Sequence, residues 1–193
     1  MKKLTAFIVF VTFLLTSSFA CAKQEAAPKE AVQEADVEKA TVDVARNNPI
    51  EKAFAKDFET AVATPEINYV AEKYSEAWQA ELKVVSEKVK KLYTQKDDVK
   101  RVDDYLASYE NLVKQAFDLE MLNWLDDVSK PASERAFGTG GPGAAMLAQG
   151  NLYKQATLNL IVHFNTANPD AEYTFSYKGK GADLEALRNQ GEK

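Results

Sequence analysis

Apolar residues recur at helical spacing for about eight turns between Pro65 and Tyr93, and this stripe constrains the fold more than any other feature. Its members are Ile67, Val70, Tyr74, Trp78, Leu82, Val85, Val89 and Leu92. Spacings of three and four residues place these side chains on one face of an α-helix. The opposite face, which includes Glu81, is rich in Glu and Lys and is predicted to be solvent-exposed. One long amphipathic helix must therefore bury its apolar face against partner helices.

Three further segments show the same periodicity and can supply those partners. They are predicted to run from about 49 to 63, from about 97 to 127, and from about 142 or 143 to 164. Asn48 and Thr64 are predicted to cap the first and second helices. The short polar connection at residues 95–98 favours antiparallel packing of its flanking helices. We therefore expect an all-α fold, an antiparallel bundle of about four helices, in which Gly150 marks a close helix contact.

A glycine-rich segment, Gly138–Gly143, separates the third and fourth helices in a chain with only 8 glycines. Because glycine readily adopts positive φ, we expect an exposed, adaptable loop. A phosphate-binding loop would need Lys and then Ser or Thr directly after the glycines, whereas Ala144 and Ala145 follow here. We interpret the segment as a connection that binds a partner. The predicted partner-binding residues are Phe137, Gly138, Thr139, Gly140, Gly141 and Gly143.

The C-terminal region has a different pattern. Tyr173, Phe175 and Tyr177 alternate with polar residues, which is the two-residue period of an extended segment. We expect a short extended tail that lies partly across the helices, then a turn and a last short helix at about 183–189.

The N-terminus is predicted to be a signal peptide covering residues 1–22. Two lysines precede an apolar run, Leu4–Leu15, that is shorter than the roughly 20 residues of a membrane-spanning helix. Two cleavage sites remain open: cleavage after Ala22 would release the protein, and cleavage before Cys21 would leave a lipidated first residue. Residues 23–48 lack aromatic side chains and are predicted to be a disordered linker, which leaves a helical domain at 49–193.

Composition narrows the chemistry that this chain can perform. Cys21 is the only cysteine, so a disulfide, a cysteine metal site and a thiol nucleophile are excluded from the mature chain. Loss of Lys2 and Lys3 with the signal peptide would leave 22 basic against 29 acidic residues, a net charge of about −7. Such a charge argues against nucleic acid binding and is compatible with a basic partner.

No catalytic constellation is evident in the sequence. His163 is the only histidine, so a zinc site with two histidines is excluded. The pairs Asp103-Asp104 and Asp126-Asp127 are interpreted as surface charge, because nothing makes them converge as glycosidase carboxylates would. We therefore predict no catalytic residue, no metal and no cofactor.

Three stretches resemble, in their layout, the LprI-type lysozyme-inhibitor N-terminal family of bacterial envelope proteins. That family has an early Leu-Asn-x-x-Tyr helix, a central Trp-x-x-Tyr-Arg-Asp-x-x-Cys helix, and a Gly/Ser-rich loop before a helix with a second Cys. Leu82 stands at the early Leu, Tyr109 at the central Tyr, and Gly140–Gly143 at the loop. Val113 and Gly150 occupy the two cysteine positions, so the resemblance implies that they are neighbours in space.

The resemblance implies a function for this chain. It points to an exported binding protein of the periplasm or cell envelope that docks onto a basic protein such as lysozyme and inhibits it. A membrane would be reached only through a lipid anchor at Cys21. The alternative is a structural or accessory envelope lipoprotein without inhibitory activity.

Overall fold

The computed structural model describes residues 44–190, which are mostly helical and form no β-sheet. The predicted signal peptide with Cys21, and residues 23–43 of the predicted linker, lie outside the described range. The helices are α1 (Pro49–Thr60), α2 (Thr64–Lys90), α3 (Lys96–Leu122), α4 (Gly141–Ala167) and α5 (Leu184–Gln190), with a 3₁₀ turn at Ala132–Glu134. The expected all-α bundle is confirmed.

Helix α2 is the centre of the bundle. It packs along α4 over most of its length and also contacts α1, α3 and α5. Helix α3 packs mainly against α4 and makes little contact with α2. As a consequence α2 buries eleven residues, whereas α3, with the same length of 27 residues, buries only Val102 and Val113.

The core consists of two clusters that share α2. The lower cluster joins α1, the first half of α2, α4 and α5, with these buried members: Ile50, Phe54, Val70, Tyr74, Ala77, Trp78, Leu158, Ala182 and Leu184. The upper cluster joins the second half of α2 to α3, α4 and the tail: Leu82, Val85, Val89, Val102, Ala156, Leu160, Ile161 and Tyr173. Val44 packs against both clusters, so the packed region includes the last residues of the predicted linker.

The N-cap of α1 agrees with the sequence prediction, whereas the N-cap of α2 does not. Asn48 caps α1, because its Oδ1 accepts hydrogen bonds from the amides of Ile50 (3.1 Å) and Glu51 (3.0 Å). The predicted cap of α2 at Thr64 is wrong, since the N-cap position is Ala63. The Glu66 carboxylate takes over the capping role by accepting from the Val62 and Ala63 amides.

Gly150 is confirmed as a close contact between helices. A Cβ atom at this position would lie 2.9 Å from Tyr74 Cδ1 and 3.2 Å from Ser75 Cα, closer than carbon atoms normally approach. Glycine therefore allows α4 to approach the backbone of α2. Val113 is buried in α3, and its predicted proximity to Gly150 stays a prediction.

The tail lies in an extended conformation across α2, as its alternating aromatics predicted. It is held by Glu81, a buried side chain that was wrongly assigned to the solvated face of α2. The Glu81 carboxylate accepts hydrogen bonds from Tyr173 Oη (2.6 Å), from the Ser176 amide and hydroxyl (2.8 and 2.7 Å) and from the Tyr177 amide (3.0 Å). Four donors compensate this buried charge, which would otherwise be costly.

Beyond the tail, the chain turns back onto α1. Gly181 is the one described glycine with positive φ (93°), and a Cβ there would collide with Asp57 Oδ2 and Ala53 O. Asp57 Oδ2 accepts a hydrogen bond from the Ala182 amide at 2.6 Å. This turn brings Ala182 and Leu184 into the lower core.

Candidate functional site

The glycine-rich segment lies at the end of the bundle where α3 finishes and α4 begins, and it is packed against the Trp124 ring. Cβ atoms placed on Gly138, Gly140 and Gly141 would lie 2.8 to 3.3 Å from Trp124 side-chain atoms. The Gly138 amide also donates to Trp124 O at 2.8 Å, beside a single antiparallel bridge between Leu125 and Phe137. The segment is therefore a packed connection.

This geometry corrects the reason given for the glycines. Among residues 44–190, positive φ occurs at Gly181 and Asp183 and at none of the glycines in 138–143. The glycines are needed because a side chain would collide with Trp124, or, at Gly143, with Asn68 Oδ1 at 2.2 Å. The need for glycine at these positions therefore comes from close packing and not from positive φ.

The predicted partner-binding residues divide into two sets. Phe137 is 49% exposed, and Gly138 and Thr139 are also exposed. Gly140 is half-buried, whereas Gly141 and Gly143 are buried and offer no surface to a partner, which corrects their assignment.

Large exposed apolar side chains flank this segment along the chain, and of these the sequence assigned only Phe137 to a binding surface. Leu119, Leu122, Trp124, Val128 and Phe137 are all exposed, and we call them the apolar end. Exposed apolar side chains in one region are typical of contact sites for other proteins. The sequence signal was present in Leu119 and Leu122, which fall outside the apolar stripe of α3.

Acidic residues flank the apolar end. They are Asp118, Glu120, Asp126, Asp127 and Glu134. The Lys130 ammonium and backbone amides hold the pKa of Asp126 below its usual range, and hydrogen bonds from Ser129 lower the pKa of Asp127. Both carboxylates are therefore ionised at neutral pH.

The two basic residues of the same stretch are already engaged. Lys130 pairs with Asp126 at 2.5 Å, and Arg135 donates to the carbonyl oxygens of Lys130 (2.7 Å) and Val128 (2.9 Å). Asp118, Asp127 and Glu134 form no ion pair within residues 44–190. The five carboxylates outnumber these two cations, so the rim of the apolar end carries a net negative charge.

The other candidate residues lie away from this end. His163 hydrogen-bonds to Tyr93 Oη and stacks on its ring, with centroids 6.0 Å apart. Asp103 pairs with Lys90 at 2.6 Å, and Asp104 pairs with Lys100 at 2.5 Å. The structure thus does not bring His163 and the Asp126-Asp127 pair together.

No group of three His, Cys, Asp or Glu side chains in residues 44–190 is arranged to hold a metal ion. No helix in this range combines the length and the hydropathy needed to cross a bilayer.

Comparison with known protein families, with curated proteins and with solved structures gives no match to this chain.

Proposed function

We propose that this protein is an exported binding protein of the bacterial cell envelope, which docks the apolar end onto a basic protein of the lysozyme class and blocks its action. The observation that carries the proposal is the apolar end itself, five exposed large apolar side chains with an acidic rim. The resemblance to lysozyme-inhibitor proteins supports the choice of partner.

The composition of this surface suits protein docking. Trp124 and Phe137 are aromatic side chains of the kind that dominate binding energy when a partner covers them. Trp124 already rests on the glycines, so its ring has little conformational freedom left to lose on binding. Apolar side chains surrounded by polar ones also match the usual anatomy of interfaces.

The charge around the surface favours a basic partner. Asp118, Asp127 and Glu134 present negative charge beside the apolar side chains, while Lys130 and Arg135 are occupied by groups of their own chain. Complementary charge accelerates association and rejects acidic partners, and its effect falls with increasing salt.

The direct test is the clearing of a bacterial cell-wall suspension by lysozyme at low salt. Mature protein in molar excess is expected to slow the clearing. Titration calorimetry of the two purified proteins would give the affinity. Unchanged clearing together with no heat of binding at low salt would remove the lysozyme proposal.

Apolar variants test the surface. We expect the double variant Leu119→Ser/Leu122→Ser, and separately Phe137→Ser, to weaken binding about tenfold or more, because such side chains contribute about 1–3 kcal/mol each when covered. Val62→Ser is the matched control, since Val62 is an exposed apolar residue between α1 and α2. Equal weakening by the control would contradict docking at the apolar end.

Charge variants test the rim. Asp118→Asn/Glu134→Gln is expected to slow association and to reduce its dependence on salt. The control Asp170→Asn/Glu172→Gln removes the same charge from exposed positions near the other end of α4. If both pairs have the same effect, the attraction depends on net charge and the proposed surface is wrong.

A further inference from the structure

A concave site lies at the end of the bundle opposite the apolar end, where α3 diverges from α2. It is a cavity of about 500 Å³, within the range of small-molecule sites. Buried Val89, Val102 and Leu160 form an apolar floor. Tyr105 and the stacked pair of Tyr93 and His163 form aromatic walls. The cavity is thus shaped and lined for a small ligand with an apolar ring.

Hydrogen bonds between side chains of the cavity wall decide which polar groups remain free to bind a ligand. Tyr105 Oη accepts from Asn159 Nδ2 at 3.2 Å, and Asn159 Oδ1 accepts from Gln155 at 3.0 Å. Partial burial raises the pKa of Tyr105 to about 12, so its hydroxyl keeps its proton at neutral pH. Asn159 fills one acceptor site of the Tyr105 hydroxyl, whose proton remains available to a ligand in the cavity or to the neighbouring Tyr109 hydroxyl.

Arg101 adds a charged donor at the mouth of the cavity. Its side chain is 81% exposed, and its one side-chain hydrogen bond within residues 44–190 runs from Nη1 to Asp98 Oδ1 at 3.2 Å. A guanidinium has five N–H donors in a planar fork that matches a carboxylate. Asp98 lines the same mouth and occupies Nη1, so the remaining N–H groups of Arg101 are the donors left for an anion.

From this arrangement we infer that the cavity binds a small aromatic carboxylate, with its ring on the floor formed by Val89, Val102 and Leu160 and its carboxylate facing Arg101 and the Tyr105 hydroxyl. This site is separate from the apolar end and does not depend on the docking proposal. An aromatic ring suits both the apolar floor and the edges of the tyrosine rings.

The test is an amide NMR titration of the mature protein with indole-3-acetate. We expect saturable shifts at residues lining the cavity, with a dissociation constant at or below about 1 mM. Two probes with the same ring system separate charge from apolar burial: neutral 3-methylindole should bind more weakly, and cationic tryptamine most weakly. Tryptamine binding as tightly as indole-3-acetate would overturn the inference, as would shifts confined to Trp124 and the glycine-rich segment.

Two variants identify the donors. Arg101→Gln is expected to lower the affinity for indole-3-acetate about tenfold and to leave 3-methylindole unaffected, because it removes only the charge. Lys114→Gln is the matched control, since it removes one positive charge from an exposed position farther along α3. Tyr105→Phe should give a smaller loss, again only for the anion. Equal losses in the Arg101 and Lys114 variants would contradict a local role for Arg101.

Discussion

Helices α2 and α3 have the same length and similar amphipathic sequences, but they occupy different environments. Helix α2 has neighbours along most of its length and buries eleven of its 27 residues, including a glutamate. Helix α3 packs chiefly on α4 and buries two. An apolar stripe therefore indicates which face of a helix is buried, whereas the number of neighbours decides how much of the helix is buried.

The proposed binding sites follow from this difference. Because α3 diverges from α2, its N-terminal half lines the cavity and its C-terminal half exposes Leu119 and Leu122. Helix α2 instead supports the core and the tail. If both proposals hold, α2 provides stability and α3 provides recognition surfaces, and matched substitutions in the two helices test this division.

The largest contrast is expected between the two tryptophans. Trp78 is 0% exposed in α2, and Trp124 is 39% exposed after α3. Trp78→Ala should lower the free energy of unfolding by about 3–5 kcal/mol, because it leaves a cavity in the lower core. Trp124→Ala should lower the free energy of unfolding by about 1–2 kcal/mol, since the ring is only partly buried against the glycines.

Urea denaturation followed by circular dichroism measures both values. Near-equal losses for the two variants would contradict the assignment of stability to α2.

Glu81 and Glu110 provide the next contrast. Glu81→Gln places an amide donor against four donors of the tail. We expect the free energy of unfolding to fall by about 2–3 kcal/mol. Glu110→Gln in α3 is exposed and should change stability by less than about 0.5 kcal/mol.

Limited proteolysis adds a local readout to this pair. The Glu81 variant should be cleaved near Tyr173–Tyr177 before the helices are attacked. Protection equal to that of the wild type would show that the apolar contacts of Tyr173 and Phe175 are sufficient to hold the tail.

The smallest effect concerns the start of α2. The hydrogen bond from Arg188 Nε to Glu66 (2.7 Å) and the capping amides lower the pKa of Glu66 from 4.5 to about 2. Because the pKa is lowered in the folded state, the stabilisation is present above pH 4.5 and is lost as the pH falls towards 2.

Carboxyl NMR of the wild type should show the Glu66 midpoint near 2, and Arg188→Gln should raise it towards 4.5. Lys100→Gln, which breaks an ion pair within α3, is expected to leave that midpoint unchanged. An unchanged midpoint in the Arg188 variant would show that the capping amides alone lower the pKa.

Local patterns were sufficient for much of the fold. The four long helical segments, the cap at Asn48, the close contact at Gly150 and the extended tail all follow from neighbouring residues, because helical period, capping and glycine content act over short distances. The helix ends were less accurate: α1 stops at Thr60, so Val62 is exposed although it continues the predicted stripe.

The two candidate sites could be predicted from the sequence only in part. The glycine-rich segment was located correctly, but its apolar surroundings depend on Leu119 and Leu122 having no neighbouring helix. The cavity brings together residues from α2, α3 and α4 that are up to 74 positions apart, Val89 and His163 among them. No local pattern identifies such a set.

The sequence by itself determined the all-α class, the order of the helices and the position of the break before α4. Only the tertiary structure decided that Glu81 is buried as the anchor of the tail, that Trp124 covers the glycines, and that α3 leaves an apolar end exposed. The physical reason is that helical periodicity arises from residues three and four apart, whereas burial depends on which distant segments arrive beside them.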